Sequence, residues 1–174
     1  MRDPLILTIF AICLCMSGIL IAIGFAEPVS NAGGIPHPSI PAMRAGGDGV
    51  ARLAEIGSLA FMFQCLLLAL IVCLAALGVS KRYRSKQFYV FLGLGFSFML
   101  FVWWQTYSAH QEFLETGITQ YFLGFPVATA WQVYGTWLGG IPLILIYTLG
   151  FRKFIYTAQD QEKFEKLLKD HQKK

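Results

Sequence analysis

Charge is what this sequence has least of. Asp, Glu, Lys and Arg make up 14% of its 174 residues, where a soluble domain carries about 25%. A disordered chain needs low hydrophobicity and high charge, so that class is excluded. A soluble globule is disfavoured because too few ionised groups remain to solvate its surface. Metal-ligand spacing is missing as well. Cys13, Cys15, Cys65 and Cys73 sit inside apolar runs and form no CxxC pair. That speaks against a zinc site or disulfide scaffold and leaves them as small apolar side chains. Histidine is scarce too: His37, His110 and His171 all lie outside the long apolar runs. Haem ligation in a bundle needs two at matching depth on facing helices. No HExxH, Ser-His-Asp pattern, phosphate-cradling glycine loop or nucleic-acid motif is present. These absences point to a non-enzymatic chain without cofactor, metal or nucleic-acid partner.

What the sequence has in quantity is hydrophobic residues, 56%, with 15% aromatic and a mean hydropathy of +0.56. Four stretches reach the roughly 20 mostly apolar residues that crossing a bilayer requires: 4–26, 56–80, 88–109 and 127–150. The first is longer than the 7–15-residue core of a signal peptide, so a retained helix is expected. Pro126 is expected in the first turn of the fourth helix, where its missing N–H costs nothing. Residues 116–125 then form a short interfacial segment or re-entrant lead-in.

The connections sort the cations. Residues 27–50 are rich in proline and glycine and read as a long irregular loop. Lys81, Arg82, Arg84 and Lys86 fill the second connection, the third contains no Lys or Arg, and Arg152 and Lys153 open a charged tail. With four spans, twelve of the fourteen Lys and Arg fall on one side. The positive-inside rule makes that side cytoplasmic and puts both termini there, in the inner (plasma) membrane. The tail, 157–174, reads as a separate short helix after a transmembrane domain over 1–156. Thr157 and Asp160 resemble a capping box, Glu162–Lys166 and Glu165–Lys169 are spaced i, i+4, and Phe164, Leu167 and Leu168 form a narrow apolar stripe. Such a stripe suits a partner or lipid heads; a solvated tail helix is the bland alternative.

No Asp, Glu, Lys, Arg or His lies midway along any span, which argues against a proton relay or voltage sensor. The notable features concern packing. Gly135 and Gly139 form a GxxxG, with Trp131 one turn before it, and Gly93 and Ser97 form a small-xxx-small pair. In lipid such pairs let backbones approach, either within the chain's own bundle or against a larger partner. Pro142 should kink the fourth helix.

One local pattern is recognisable. Gly124-Phe125-Pro126, then Trp131, Gly135 and an aliphatic run to Tyr147, resembles a helix of the small membrane proteins of unknown function found with sodium:solute symporters. The likeness spans 116–160. The chain is also similar, more weakly, to the small membrane subunit of tripartite periplasmic transporters. Both resemblances imply an accessory subunit in solute uptake. The fourth span, through Gly135 and Gly139, is then expected to dock against a larger integral membrane transport protein, with the cytoplasmic tail as a second contact. The expectation is therefore an all-α, four-span helix bundle in the bilayer with an amphipathic tail helix, serving a secondary, sodium-coupled transporter. The competing expectation is a small structural subunit of a respiratory or other redox membrane complex.

Overall fold

The starts of the first three long helices are set by capping side chains more than by hydrophobicity. The structure, a computed structural model, describes residues 3–29, 34–45 and 47–172. Helix α1 runs Pro4–Gly24, with Pro4 at its first position and the Asp3 carboxylate accepting from the Leu5 N–H. Such caps satisfy N–H groups that have no partner inside the helix. Helix α2, Gly49–Gly78, starts where Asp48 accepts from the Ala51 N–H at 3.0 Å. Helix α3, Lys86–Thr116, starts at Ser85 and ends at Gly117, whose φ of 67° is the left-handed conformation that favours glycine. Both α2 and α3 are therefore longer than the apolar runs. At 1.5 Å per residue each is about 45 Å long, well beyond the ~30 Å hydrocarbon layer. The charged turns around Arg52, Glu55, Glu112 and Glu115 are helical, although the apolar runs place the span limits at 56 and 109.

The fourth span is not one regular helix. It comprises α4 (Val127–Ala130), a π-helical turn at Trp131–Gly135, and α5 (Thr136–Leu149), which contains Pro142. A second π turn, Phe151–Ile155, leads to α6, Ala158–Gln172. Pro126 precedes the helix as its N-cap rather than lying in its first turn.

Two small hairpins occupy the connections. In the loop expected to be irregular, β1 (Ile35–Pro36) pairs antiparallel with β2 (Arg44–Ala45). His37 serves the turn between them, its Nδ1 accepting from the Ser39 and Ile40 N–H groups. Ahead of α4, β3 (Tyr121–Phe122) pairs with β4 (Phe125–Pro126). Its two-residue turn has Leu123 at φ 46° and Gly124 at φ 86°. Two consecutive positive φ values mark the primed turn that matches strand twist, so Gly124 is needed here by the backbone.

Four helices are long and apolar enough to cross a membrane, compatible with a multi-pass membrane protein. They do not close into a square. Helix α3 lies between α2 and the α4–α5 rod, while α1 packs principally on α2, giving a row. The expected four-helix bundle is open between α1 and α5, and α1 has no buried residue. Helix α3 supplies the spine: Phe88, Leu92, Gly95, Met99 and Val102 are buried at alternating spacings of four and three, a single face. The densest packing is at one end, where Phe88, Leu92, Ala76, Val79 and Phe154 form the core with Leu5 and Tyr147 against it.

Candidate functional site

Three places bring the conspicuous residues together, and the first is the basic end. The last carbonyls of α2 have no partners within the helix. The Ala76 carbonyl accepts from the Val79 N–H, the Leu77 carbonyl from Arg84 Nη2 at 3.3 Å, and the Ala75 carbonyl from the Tyr147 hydroxyl. Arg84 Nε also donates to the Val79 carbonyl at 2.8 Å, and its Nη1 reaches Asp3 Oδ2 at 2.8 Å. One guanidinium thus caps the C-terminal end of α2 and grips the residue that caps α1. Both contacts place charge favourably on the helix dipoles. Arg84 and Asp3 keep only 7% and 9% of their side-chain surface exposed. The Arg84 hydrogen bond holds the Asp3 carboxyl below its ordinary range, helped by the Leu5 N–H and by Lys81 at 3.5 Å. Sequence reasoning treated Arg84 as one of several like charges that set topology; the structure gives it a specific joint.

Its neighbour holds the tail. The Tyr83 hydroxyl lies 2.7 Å from both Asp160 oxygens. Thr157 donates to the same carboxylate from its N–H at 3.0 Å and its hydroxyl at 2.8 Å. These donors, Tyr83 first, lower the Asp160 carboxyl to about 2. The remaining cations at this end meet neutral amides: Arg82 donates to Gln159, Arg152 to Gln161 and Lys153 to Gln87. Lys81 and Lys86 are exposed.

The second place is the glycine interface. A Cβ on Gly135 would lie 2.7 Å from Val102 Cγ1 and 3.0 Å from Trp131 Cε3. Gly139 faces Met99 at an ordinary 3.5 Å, and Gly95 faces Pro142. The close approach that Gly135 and Gly139 permit is thus to α3 of the same chain. Gly93 is different: nothing lies within 4 Å of its Cβ position, and Ser97 is exposed beside it. Of the two small-residue pairs, only the one on α3 is open to another molecule.

The third place is the hairpin end. Tyr134, in the first π turn, donates to the Leu123 carbonyl at 3.2 Å and packs edge-on against Phe122 and Phe125. Trp131 meets Phe101 edge-on at 5.9 Å. Between hairpin and π turn lies a groove of about 410 Å³ lined by Gln120, Tyr121, Phe122, Trp131, Tyr134 and Leu138. The Gly124-Phe125-Pro126 motif thus builds the hairpin that roofs this groove, while Tyr147 serves the opposite end. π turns are rare and recur at functional sites, and no apolar periodicity announces this one. The groove suits a planar apolar group and offers amide and phenol hydrogen bonds but no acid or base. Among the described residues, no three His, Cys, Asp or Glu side chains come together as metal ligands. Compared with known proteins, the chain matches no family model, no curated protein and no solved structure.

Proposed function

We propose that this chain is a non-catalytic, multi-pass subunit that packs beside a larger membrane transport protein, in the inner membrane with the basic end cytoplasmic. The observation that carries this reading is the open face of α3. Gly93 and exposed Ser97 lie together there, flanked by exposed Val90, Leu94 and Phe101, and among the described residues no atom comes within 4 Å of a Cβ at Gly93. Small residues that face outward from a central span offer a neighbouring helix close van der Waals approach, which drives association in lipid. Gln132 and Thr136 add support, because they are polar and exposed on the fourth span, where a protein neighbour would satisfy them better than hydrocarbon does. The positive-inside rule supplies the orientation, and the likeness of 116–160 to symporter-associated proteins supplies the transporter class.

Gentle solubilisation of the tagged protein should bring down a polytopic transport protein. Gly93→Leu should abolish that association without destabilising the chain itself, because a Cβ at this position meets no atom within 4 Å and leucine is the better helix former. Isolation as a lone monomer, with solute uptake unaffected by deletion of the gene, overturns the proposal. The aromatic groove beneath the hairpin favours a second reading, a structural subunit of a redox membrane complex that contacts a quinone-like ring. Co-purification with haem proteins would select it.

A further inference from the structure

Among the described residues, helix α6 is tied to the rest of the chain by hydrogen bonds at its first turn, centred on Asp160. Asp160 is bound by Tyr83, and its neighbours Gln159 and Gln161 by Arg82 and Arg152. Residues three, four, seven and eight apart share a helix face, so Asp160 heads a stripe that continues through Phe164, Leu167 and Leu168. The side turned toward the bundle at its first turn is therefore the apolar side farther along. Beyond the bundle, Phe164, Leu167 and Leu168 are 55%, 67% and 46% exposed. Glu162, Lys166 and Lys169 fall on the opposite face by the same spacing.

We propose that α6 lies on the anionic lipid surface at the basic end of the bilayer, with Phe164, Leu167 and Leu168 in the boundary between headgroups and acyl chains. This rests on the reading of the chain as membrane-spanning. The level at which α6 is pinned comes from its anchors. Tyr83 and Arg82 lie in the turn joining α2 to α3, and Arg152 follows directly on α5. All three are at the ends of spans, where headgroups begin. The charge of the occupant follows from the cations around that anchor. Arg82 acts on Asp160, but Arg152 and Lys153 hydrogen-bond to neutral glutamine oxygens and Lys86 is exposed beside them, so much of the positive charge at the base of α6 is left for an anion outside the protein to balance. A strongly amphipathic helix of low overall hydrophobicity is the form that rests in an interface rather than crossing it, and clustered Lys and Arg beside it draw anionic headgroups.

The test uses the full chain in nanodiscs with p-benzoylphenylalanine in place of Phe164, Leu167, Lys166 or, as an internal standard, the span residue Leu94. In discs of mixed phosphatidylglycerol and phosphatidylcholine, illumination should give lipid adducts from 164 and 167 several-fold above those from 166, at a level near that from 94. Replacing phosphatidylglycerol by phosphatidylcholine should lower the yield at 164 and leave that at 94 unchanged. Adducts at 94 with none above the Lys166 level at 164 and 167 overturn the placement of α6 alone. Protein adducts at 164 and 167 overturn it in favour of a protein partner. A chain that gives no lipid adduct at 94 overturns the membrane reading, and the inference with it.

Discussion

Replacing Gly135 by alanine tests the interface between α3 and the fourth span. The new Cβ would lie 2.7 Å from Val102 Cγ1 and 3.0 Å from Trp131 Cε3. Carbon atoms pack best at about 3.5–4.0 Å, so the overlap with Val102 is about 1 Å. Valine in a helix has one strongly preferred rotamer, and Val102 is buried on the packed face of α3, so it has no easy way to step aside. Trp131 is held by its edge-on contact with Phe101. Overpacking of this kind costs about 1–3 kcal/mol, against a gain of about 1 kcal/mol in helix propensity from glycine to alanine. The net expectation is destabilisation by about 1 kcal/mol and at most about 2 kcal/mol, read from reversible unfolding in mixed detergent micelles. Gly139→Ala is the control: its Cβ meets Met99 Cγ at an ordinary 3.5 Å, so it should be neutral or slightly stabilising. Val102→Ala in the Gly135→Ala background should recover part of the loss, a coupling of about 1 kcal/mol or more in a double-mutant cycle. A Gly135→Ala variant as stable as its parent, or strict additivity with Val102→Ala, would refute the packing argument.

Three further outcomes are expected. Tyr147→Phe removes the hydroxyl that satisfies the Ala75 carbonyl and should lower unfolding stability by about 1 kcal/mol, with the fold retained by circular dichroism. Arg84→Lys keeps a positive charge but loses the fork that reaches Val79, Leu77 and Asp3 together; a loss of about 2 kcal/mol is expected and should appear as a lowered midpoint in the same titration. The Asp160 carboxyl is lowered to about 2 in the folded chain, so its contribution to tail docking is present above the ordinary carboxylate value and lost as pH falls from about 4 to about 2. The Thr157 amide resonance should titrate with that low midpoint, and Asp160→Asn should abolish the transition; a midpoint near 4 in the parent would show that Tyr83 does not hold the carboxylate.

The spans are legible as apolar runs because hydrocarbon tolerates little else, yet their helix limits are not. Asp48 and Gly117 decide those, through one side-chain acceptor and one left-handed residue, and neither is hydrophobic. The order of helices is hidden for a related reason. On α3 the exposed Val90, Leu94 and Phe101 are as apolar as the buried Phe88, Leu92 and Val102, so polarity does not separate lipid-facing from protein-facing sides. The hairpin before α4 escapes notice because its turn is Leu123-Gly124 rather than the usual Asn-Gly or Asp-Gly. At the candidate sites, glycine spacing marked Gly135 and Gly139 as packing residues, but only coordinates identify α3 as their neighbour. The roles of Arg84 and Tyr147 depend on helix-end carbonyls that belong to other segments and have no signature in side-chain composition.

Adjacent residues Tyr83 and Arg84 hold segments from opposite halves of the chain: Arg84 takes Asp3, and Tyr83 takes Asp160. Chains assemble from the N-terminal side as they are synthesised, so these two joints close at different times. The first needs only the first two spans and the short basic turn, so it is available before the fourth span is in place. The second waits for the whole fourth span and the start of α6. The seven-residue connection between α2 and α3 therefore acts as a clasp with an early and a late half, and a chain stopped before residue 157 would leave the ribosome with the first half fastened and the second open.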